Sequence, residues 1–441
     1  MKNIGIVGAG HVGLVTAGCF ANLGYNVICT DNDAEKIEKI KKLAMPFYEP
    51  GLKDIVEEAV NAKKLVFTTS ISKMAIESEV IFIAVGTPAT EAGRADLSYV
   101  ENVTVEIAKA LAGIQRKDNK IIYRLIVEKS TVPVLTGEWV KRTFALMAPI
   151  GIEFDVAANP EFLREGNAIA DFMCPDRVIV GVESERAKKI FQEIYGPINA
   201  PLIFTDVKSA ELIKHASNCF LALKISYINA ISQICERVGA NVEKVAEGMG
   251  YDKRIGREFL DAGIGWGGSC FPKDVAAFIK LAEDLGYHFN LLKEVQHINS
   301  QQRFLVIKKA KELLWNLKGK KIAVLGLSFK PDTDDIRESP SIEIIDLLLK
   351  EGAIVRCYDP QAMDNMRKIF PDITYCTDPY QAAENASIII FLTAWKEFKN
   401  LDFKQIKELL TTPYIIDGRN FLDGLKLKNE GFIYKGIGKN I

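Results

Sequence analysis

The sequence predicts an α/β protein in which two doubly wound parallel-sheet domains are joined by a central helical domain. Three observations lead there. Short β-branched apolar runs alternate with helix-length segments in the first part of the chain, which implies βαβ units. The same alternation resumes after Leu317. Between them lies a block patterned for helices only. The predicted bounds are 1–205, 206–317 and 318–441, and a chain of 441 residues is longer than one hydrophobic core usually organises.

The elements follow in order. Strands are predicted at Asn3–Val7, Asn26–Thr30, Leu65–Thr68, Val80–Val85, Ile121–Val127 and Val178–Val182, with a shorter apolar run at Asp155–Ala158. From Asp206 to Val238 the chain is apolar-periodic without Pro or Gly, and Gly239 supplies a C-terminal stop. Helical patterns continue at Pro272–Leu285 and Leu291–Leu317, a block long enough to connect domains and also to meet another subunit. Strands return at Lys321–Leu327, Ile354–Tyr358, Ile373–Cys376, Ile388–Thr393 and Tyr414–Asp417.

Composition narrows the function classes. Hydrophobic residues make up 48% and charged residues 26%, ordinary for a globular protein. A formal net charge of −1 argues against nucleic-acid or membrane-surface binding, so an anionic ligand needs locally placed Lys and Arg. The N-terminus runs straight into a strand without a basic leader, and no apolar run approaches the roughly 18 residues of a membrane span. Eight scattered cysteines fit a reducing compartment. Four histidines (His11, His215, His288, His297) without Cys-x-x-Cys give a metal site little support. Together these read as a cytosolic, soluble, metal-free protein.

Gly8-Ala9-Gly10-His11-Val12-Gly13 follows the first strand and opens a helix. Gly8 suits the tight turn, Gly10 a close backbone approach to a pyrophosphate, and Gly13 close helix–strand packing. Glycine-rich turns also occur for structural reasons alone. This one starts a βαβ unit, and Asp31 ends the second strand where an acid accepts ribose hydroxyls and repels a 2′-phosphate. A Rossmann-like dinucleotide site is therefore predicted, with NAD favoured over NADP; nearby Lys36 is the one feature pointing the other way. Thr87 in Val85-Gly86-Thr87-Pro88 and Thr131 in Ser130-Thr131-Val132-Pro133 follow strands of the same sheet, and the carboxyl ends of such strands face the ligand crevice. Thr and Pro are also ordinary turn formers. The last domain opens with a similar Ile-Ala-Val-Leu-Gly-Leu-Ser but lacks the glycine triplet, so no dinucleotide is expected there.

The run Gly263 to Asp274 is the densest in chemistry. Its glycines let backbone wrap a ligand, and Pro272 suits the first turn of a helix. Cys270 would sit at that helix N-terminus, where the dipole favours a thiolate, with Asp274 one turn on. A lone cysteine is more often a small buried hydrophobe, the reading given to Cys19, Cys29, Cys219 and Cys235; for Cys270 a nucleophile is favoured. Lys214 and Asn218 stand at i and i+4 on the long helix, amid apolar neighbours. A solvated lysine and a buried polar pair both fit that pattern. Asn159 to Gly166 sets Glu161 and Glu165 four apart after the Asp155–Ala158 run, which suits a solvated turn and an anion- or water-handling loop about equally.

Together these motifs resemble the UDP-glucose/GDP-mannose dehydrogenase family. The resemblance is carried by GAGHVG, PFYEPGL at 46–52, VGTP continuing to ADLSYV, KSTVP, NPEFLREG, PDRVIVG, KHASNCFLALKISYINA, GWGGSCFPKD and LSFKPDTDDIRESP at 327–340. They span nearly the whole chain in family order. The resemblance implies oxidation of UDP-glucose to UDP-glucuronate, a four-electron reaction using two NAD in succession. Cys270 matches the family's catalytic cysteine, forming a thiohemiacetal and then a thioester. Lys214 and Asp274 match the residues managing protons and the oxyanion, Asn218 a water- and oxyanion-positioning partner, and Glu161 an acid assisting thioester hydrolysis.

By the same residue-by-residue match, Glu161, Phe162, Leu163, Arg164, Glu165, Lys214 and Asn218 would contact the nucleotide sugar. So would the loop Asp261, Ala262, Gly263, Ile264, Gly265, Trp266 and Gly267. Phe329, Lys330 and Arg419 would join them from the last domain, the cations neutralising the diphosphate. Arg254 matches an arginine reaching a neighbouring subunit's site, which implies a homodimer or higher homo-oligomer. Glu165 and Arg337 match contacts to the nicotinamide half of the cofactor. One departure is Leu135, where the family usually has Gly.

Other readings remain beside this one. The GDP-mannose branch shares the GGSC and PKD elements, though KPDTDDIRESP leans towards uridine. The UDP-N-acetyl-hexosamine branch tends to place His before the cysteine, where this chain has Ser269. A two-electron hydroxyacid dehydrogenase leaves Cys270 and the last domain without a task. A non-catalytic nucleotide sensor leaves the Cys270, Lys214, Asn218 and Asp274 set unexplained.

Overall fold

The computed structural model describes residues 2–88, 90, 94–112, 122–147 and 152–439. The predicted ends at Met1, Ile121 and Ile441 lie outside the described residues. The fold divides into two units, Met1–Ser217 and Asn218–Ile441, with the long helix Val207–Val238 passing through the division.

In the first unit eight strands form one sheet: β1 (Asn3–Val7), β2 (Asn26–Thr30), β3 (Leu65–Thr68), β4 (Val80–Ile83), β5 (Ile122–Glu128), β6 (Ile152–Ala158), β7 (Val178–Gly181) and β8 (Leu202–Thr205). Their order is β3-β2-β1-β4-β5-β6-β7-β8, a doubly wound Rossmann arrangement whose order reverses between β1 and β4. Alternate residues of one strand feed opposite faces. Ile4 and Ile6 enter one apolar cluster and Val7 another, as do Phe82 and its neighbours Ile81 and Ile83. All of β4 is buried, as expected of a strand covered on both sides.

One part of the sheet is not parallel. β6 and β7 meet antiparallel through the single pair Ala158↔Gly181, and β7 and β8 are parallel to each other. The connection contains only the six-residue helix Ala168–Met173. The chain re-enters the sheet at the end it left, where Ala158 meets Gly181. β8 is an edge strand with Ile203 exposed, which is why apolar patterning did not reveal it.

In the second unit, helices Val242–Gly250, Phe271–Asp284 and Asn290–Leu314 precede a six-stranded sheet. Its strands are β9 (Lys321–Leu325), β10 (Ile354–Tyr358), β11 (Thr374–Tyr375), β12 (Ile388–Phe391), β13 (Tyr414–Asp417) and β14 (Ile433–Lys435). The order β11-β10-β9-β12-β13-β14 is parallel throughout and repeats the first sheet's winding. β12 is fully buried, whereas the short edge strand β14 was not predicted. Among the described residues no helix is long and apolar enough to cross a membrane, and no His, Cys, Asp or Glu cluster could hold a metal ion.

Candidate active site

The glycine turn lies between β1 and the helix His11–Asn22. A Cβ on Gly13 would stand 1.8 Å from the Gly8 carbonyl, so only glycine lets the helix come this close to the strand. On Gly10 the same atom would meet nothing within 4 Å, which leaves that side of the turn open to a ligand. The N-cap residue Gly10 has no side chain to occupy the first helical N–H groups, the usual arrangement at a phosphate-binding helix start. Asp31 accepts hydrogen bonds from the N–H of Ala9 (2.8 Å) and of Asp33 (3.0 Å), and Lys36 Nζ lies 3.0 Å from its Oδ2. Burial opposes its ionisation, but the N–H groups of Asp33 and Ala9, with the Lys36 ammonium, hold the carboxyl below the ordinary aspartate value. Lys36 thus answers the charge of Asp31.

The two predicted strand-end turns come together. Thr87 Oγ1 donates to the Thr131 carbonyl at 2.8 Å, and Ser130 Oγ donates to the Val85 carbonyl at 2.7 Å. Leu135 has φ of +82°, the left-handed region that favours glycine, which explains why a glycine suits this position. Its N–H and that of Gly137 donate to Glu211, each at 2.8 Å.

The loop after β6 holds the acids. Lys214 Nζ lies 3.1 Å from Glu161 Oε1, and both side chains are almost fully buried. Glu161 Oε2 accepts the Leu163 N–H at 2.6 Å. Phe162 lies between two cations, with the Arg177 guanidinium 3.8 Å and Lys214 Nζ 5.2 Å from its ring centre. Arg164 turns to Asp171, at 2.6 Å, while Glu165 is buried. Sequence reasoning passed over Lys129, which is buried with Nζ 3.0 Å from Asn159 Oδ1. Burial pushes its pKa down to about 8; Glu161 opposes that shift and Lys214 adds to it.

In the second unit Cys270 is the N-cap of helix Phe271–Asp284, with Pro272 in the first turn. It is half-buried, whereas Cys19, Cys29, Cys219 and Cys235 are buried, as expected of structural thiols. Burial pushes the thiols of Cys19 and Cys219 up to about 12. Asp274 donates its N–H to the Cys270 carbonyl at 2.9 Å, which closes the first helical turn. Its side chain is 1% exposed; Oδ2 accepts from Asn218 Nδ2 at 2.6 Å and Oδ1 faces Lys273 Nζ at 2.8 Å. The helix Val207–Val238 carries Lys214 and Asn218 one turn apart.

The loop before Cys270 is held by buried amides that the apolar pattern concealed. Asn229 Oδ1 accepts the Gly263 N–H, Gln302 Nε2 donates to the Gly263 carbonyl, and Asn299 takes both the N–H and the carbonyl of Trp266. Asn420 reaches the Ala262 carbonyl, Ile264 donates to the Gly418 carbonyl, and Arg257 pairs with Asp261. A Cβ on Gly267 would strike the Glu338 carbonyl at 2.1 Å. Arg419 directs its guanidinium to three carbonyls: Leu392 (2.9 Å), Gly265 (2.7 Å) and Phe329 (3.2 Å). Its burial pushes its pKa down to about 10. The structure thus makes Arg419 a clamp between the loop and the last domain. Lys330 lies over the Phe329 ring at 5.8 Å. Arg337 pairs with Asp335, and its carbonyl accepts the Gly268 N–H. Arg254 is the most exposed of the set and pairs with Asp252 at 2.6 Å.

Three family models match the chain. They describe the NAD binding domain of the UDP-glucose/GDP-mannose dehydrogenase family over residues 2–199, its central domain over 208–301 and its UDP binding domain over 323–424. The chain is 45% identical over 440 residues to UDP-glucose 6-dehydrogenase TuaD of Bacillus subtilis (strain 168), covering 100% of this chain and 94% of that one. It is 43% identical to UDP-glucose 6-dehydrogenase of Rhizobium meliloti (strain 1021), covering 99% of each. A UDP-glucose dehydrogenase from the hyperthermophilic archaeon Pyrobaculum islandicum has a similar solved structure. Its TM-score is 0.92 at 38% identity, covering 100% of this chain and 98% of that one.

Proposed function

The chain belongs to the UDP-glucose/GDP-mannose dehydrogenase family, and from that premise we propose that it oxidises UDP-glucose to UDP-glucuronate with two NAD in succession. The observation that carries this reading is Cys270, half-buried at a helix N-terminus, with Asp274 one turn on and hydrogen-bonded to Asn218. A dehydrogenase that removes only two electrons has no use for a sulfur nucleophile.

The open side of Gly10, the uncapped helix start and Asp31 suit NAD. NAD held there would supply the hydride acceptor for each of the two oxidations at C6. In our reading Lys214 and Asp274 take up and return the proton of the 6-hydroxyl. Cys270 Sγ adds to the aldehyde carbon, and the carbonyl oxygen gains a proton as the C–S bond forms. Loss of the second hydride and of that proton leaves a thioester, bringing the total to four electrons. Asn218 orients the oxyanion and the attacking water, and Glu161 takes the water's proton as the C–S bond breaks. The carboxylate is released and the thiol is restored. Glu161 and Lys214 form a buried pair, which suits a relay in which one proton changes hands.

The division at 1–205, 206–317 and 318–441 belongs to the same proposal, as do the substrate and cofactor contacts assigned above and a cytoplasmic location. Arg419, with donors on three carbonyls, shapes the loop, and together with Lys330 it supplies positive charge for the diphosphate. Exposed Phe220, Tyr227 and Ile234, seven residues apart along the long helix, support a homodimer. Exposed Arg254 then completes a partner's site. Mixing inactive Cys270→Ser chains with inactive Arg254→Ala chains should restore partial activity; no recovery despite subunit exchange rules out the shared site. The reaction itself is tested by the NADH formed per sugar consumed across UDP- and GDP-sugars. Two NADH with UDP-glucose is expected, and one NADH, or a preference for a GDP-sugar, overturns the reading.

A further inference from the structure

The PFYEPGL segment has no task in the chemistry above, yet its glutamate is among the most fully enclosed charges in the first unit. The Glu49 side chain is 0% exposed. Three donors meet it. His11 Nε2 and the Gly166 N–H share Oε2, at 2.7 and 2.6 Å, and the Ala168 N–H meets Oε1 at 2.8 Å. A carboxylate only accepts, so Nε2 of His11 carries the proton. His11 is the first residue of the helix after the glycine turn, and its ring packs on Phe47 with centroids 4.9 Å apart. Gly166 directly follows Glu165 and closes the loop that begins at Asn159. That loop braces its own beginning through Glu161 Oε2 and the Leu163 N–H. At its far end the N–H groups of Gly166 and Ala168 both depend on Glu49.

We propose that Glu49 is a positioning residue that couples occupancy of the glycine turn to the geometry of the Asn159–Gly166 loop. One carboxylate oxygen holds both the cofactor helix, through His11, and the loop end, through Gly166. A dinucleotide that fixes the start of the helix also fixes His11 against Phe47. The loop then loses less freedom when the nucleotide sugar arrives, so the second ligand binds more tightly. The inference rests on the assignment of this loop to UDP-glucose.

The test is the Kd of UDP-glucose, measured by calorimetry with and without saturating NADH, a pair that cannot turn over. In the native protein NADH is expected to tighten UDP-glucose about fivefold. Glu49→Gln offers one acceptor oxygen and turns an NH2 towards a backbone N–H, so the enhancement should fall below about twofold. His11→Phe keeps the ring packing without the N–H and should do the same, which decides the matter if Glu49→Gln does not fold. An undiminished NADH effect in these variants, or none in the native protein, overturns the proposal. Glu161→Gln separates the two ideas. If it binds UDP-glucose with native affinity, the loop assignment itself is wrong; if the linkage alone is wrong, the affinity loss in Glu161→Gln persists while the NADH effect survives in Glu49→Gln.

Discussion

The turns after β1 and β9 are built alike and left in opposite states. Each leaves the first strand of a doubly wound sheet, and each is faced by an aspartate at the end of the neighbouring strand. After β1, Asp31 takes two backbone N–H groups and the Lys36 ammonium and stays 8% exposed. After β9, Asp359 is 0% exposed. Its Oδ2 accepts the N–H groups of Leu327 and Ser328, the Ser328 hydroxyl and the Trp395 indole N–H, and its Oδ1 those of Gln361 and Ala362. Where the first turn leaves Gly10 open, the second places the buried side chain of Ser328. The same scaffold thus leaves the acid partly open in one domain and uses it to close the turn in the other. What distinguishes the two turns is the acid's remaining capacity, and its identity alone decides little.

The contrast extends to the fifth strand of each winding. β13 ends in Asp417, which takes the N–H groups of Arg419 and Leu422 and the Tyr434 hydroxyl. β5 ends in Glu128, whose two oxygens meet no N–H or hydroxyl donor among the described residues and face Glu211 instead. Burial first, and then Glu211, pushes the Glu128 carboxyl well above the ordinary glutamate value.

Substitutions at these acids test the comparison. Asp359→Ala strands several buried donors at once and should cost about 3 kcal/mol or more of stability, read by denaturant unfolding, without changing the KM for NAD. A rise in that KM in folded protein would assign the second turn to the cofactor. Asp31→Ala should raise the KM for NAD about tenfold and narrow its preference over NADP, because the ribose hydroxyls lose their acceptor. Unaltered discrimination between the cofactors removes Asp31 from the site. Glu128→Gln should have the smallest effect. A carboxyl whose pKa is raised by folding binds a proton that the unfolded chain releases. Stability therefore falls as pH climbs from the ordinary 4.5 towards the raised value. Glu128→Gln should flatten that decline and leave the protein more stable than the native chain near pH 8. A melting curve series with the native slope would show that Glu128 ionises freely.

Much of this was legible in the residues because it is local. The glycine turn, Asp31, the Thr87 and Thr131 strand ends and the Cys270 helix start each depend on a few consecutive side chains. What was hidden depends on partners distant in sequence. The antiparallel return into β7 shows only in the pairing of Ala158 with Gly181, and no strand pattern announces it. Asn229, Asn299 and Gln302 interrupt apolar helix faces and look like flaws until the Gly263–Trp266 backbone lies against them. Nothing near Arg419 in sequence reveals that its guanidinium meets the carbonyls of Gly265, Leu392 and Phe329.

The most direct test of the proposed chemistry is the mass of the Cys270→Ser protein after incubation with UDP-glucose and NAD. Serine replaces a good thiolate leaving group with an alkoxide and is far less ionised near neutral pH, even at a helix N-terminus. Its ester should hydrolyse more slowly than the thioester, so turnover should stall with the sugar attached. Intact-mass spectrometry should show a gain of one UDP-sugar acyl group, and Cys270→Ala should bind both ligands without forming uronate. Release of two NADH per UDP-glucose by Cys270→Ala at a near-native rate would contradict covalent catalysis by this cysteine.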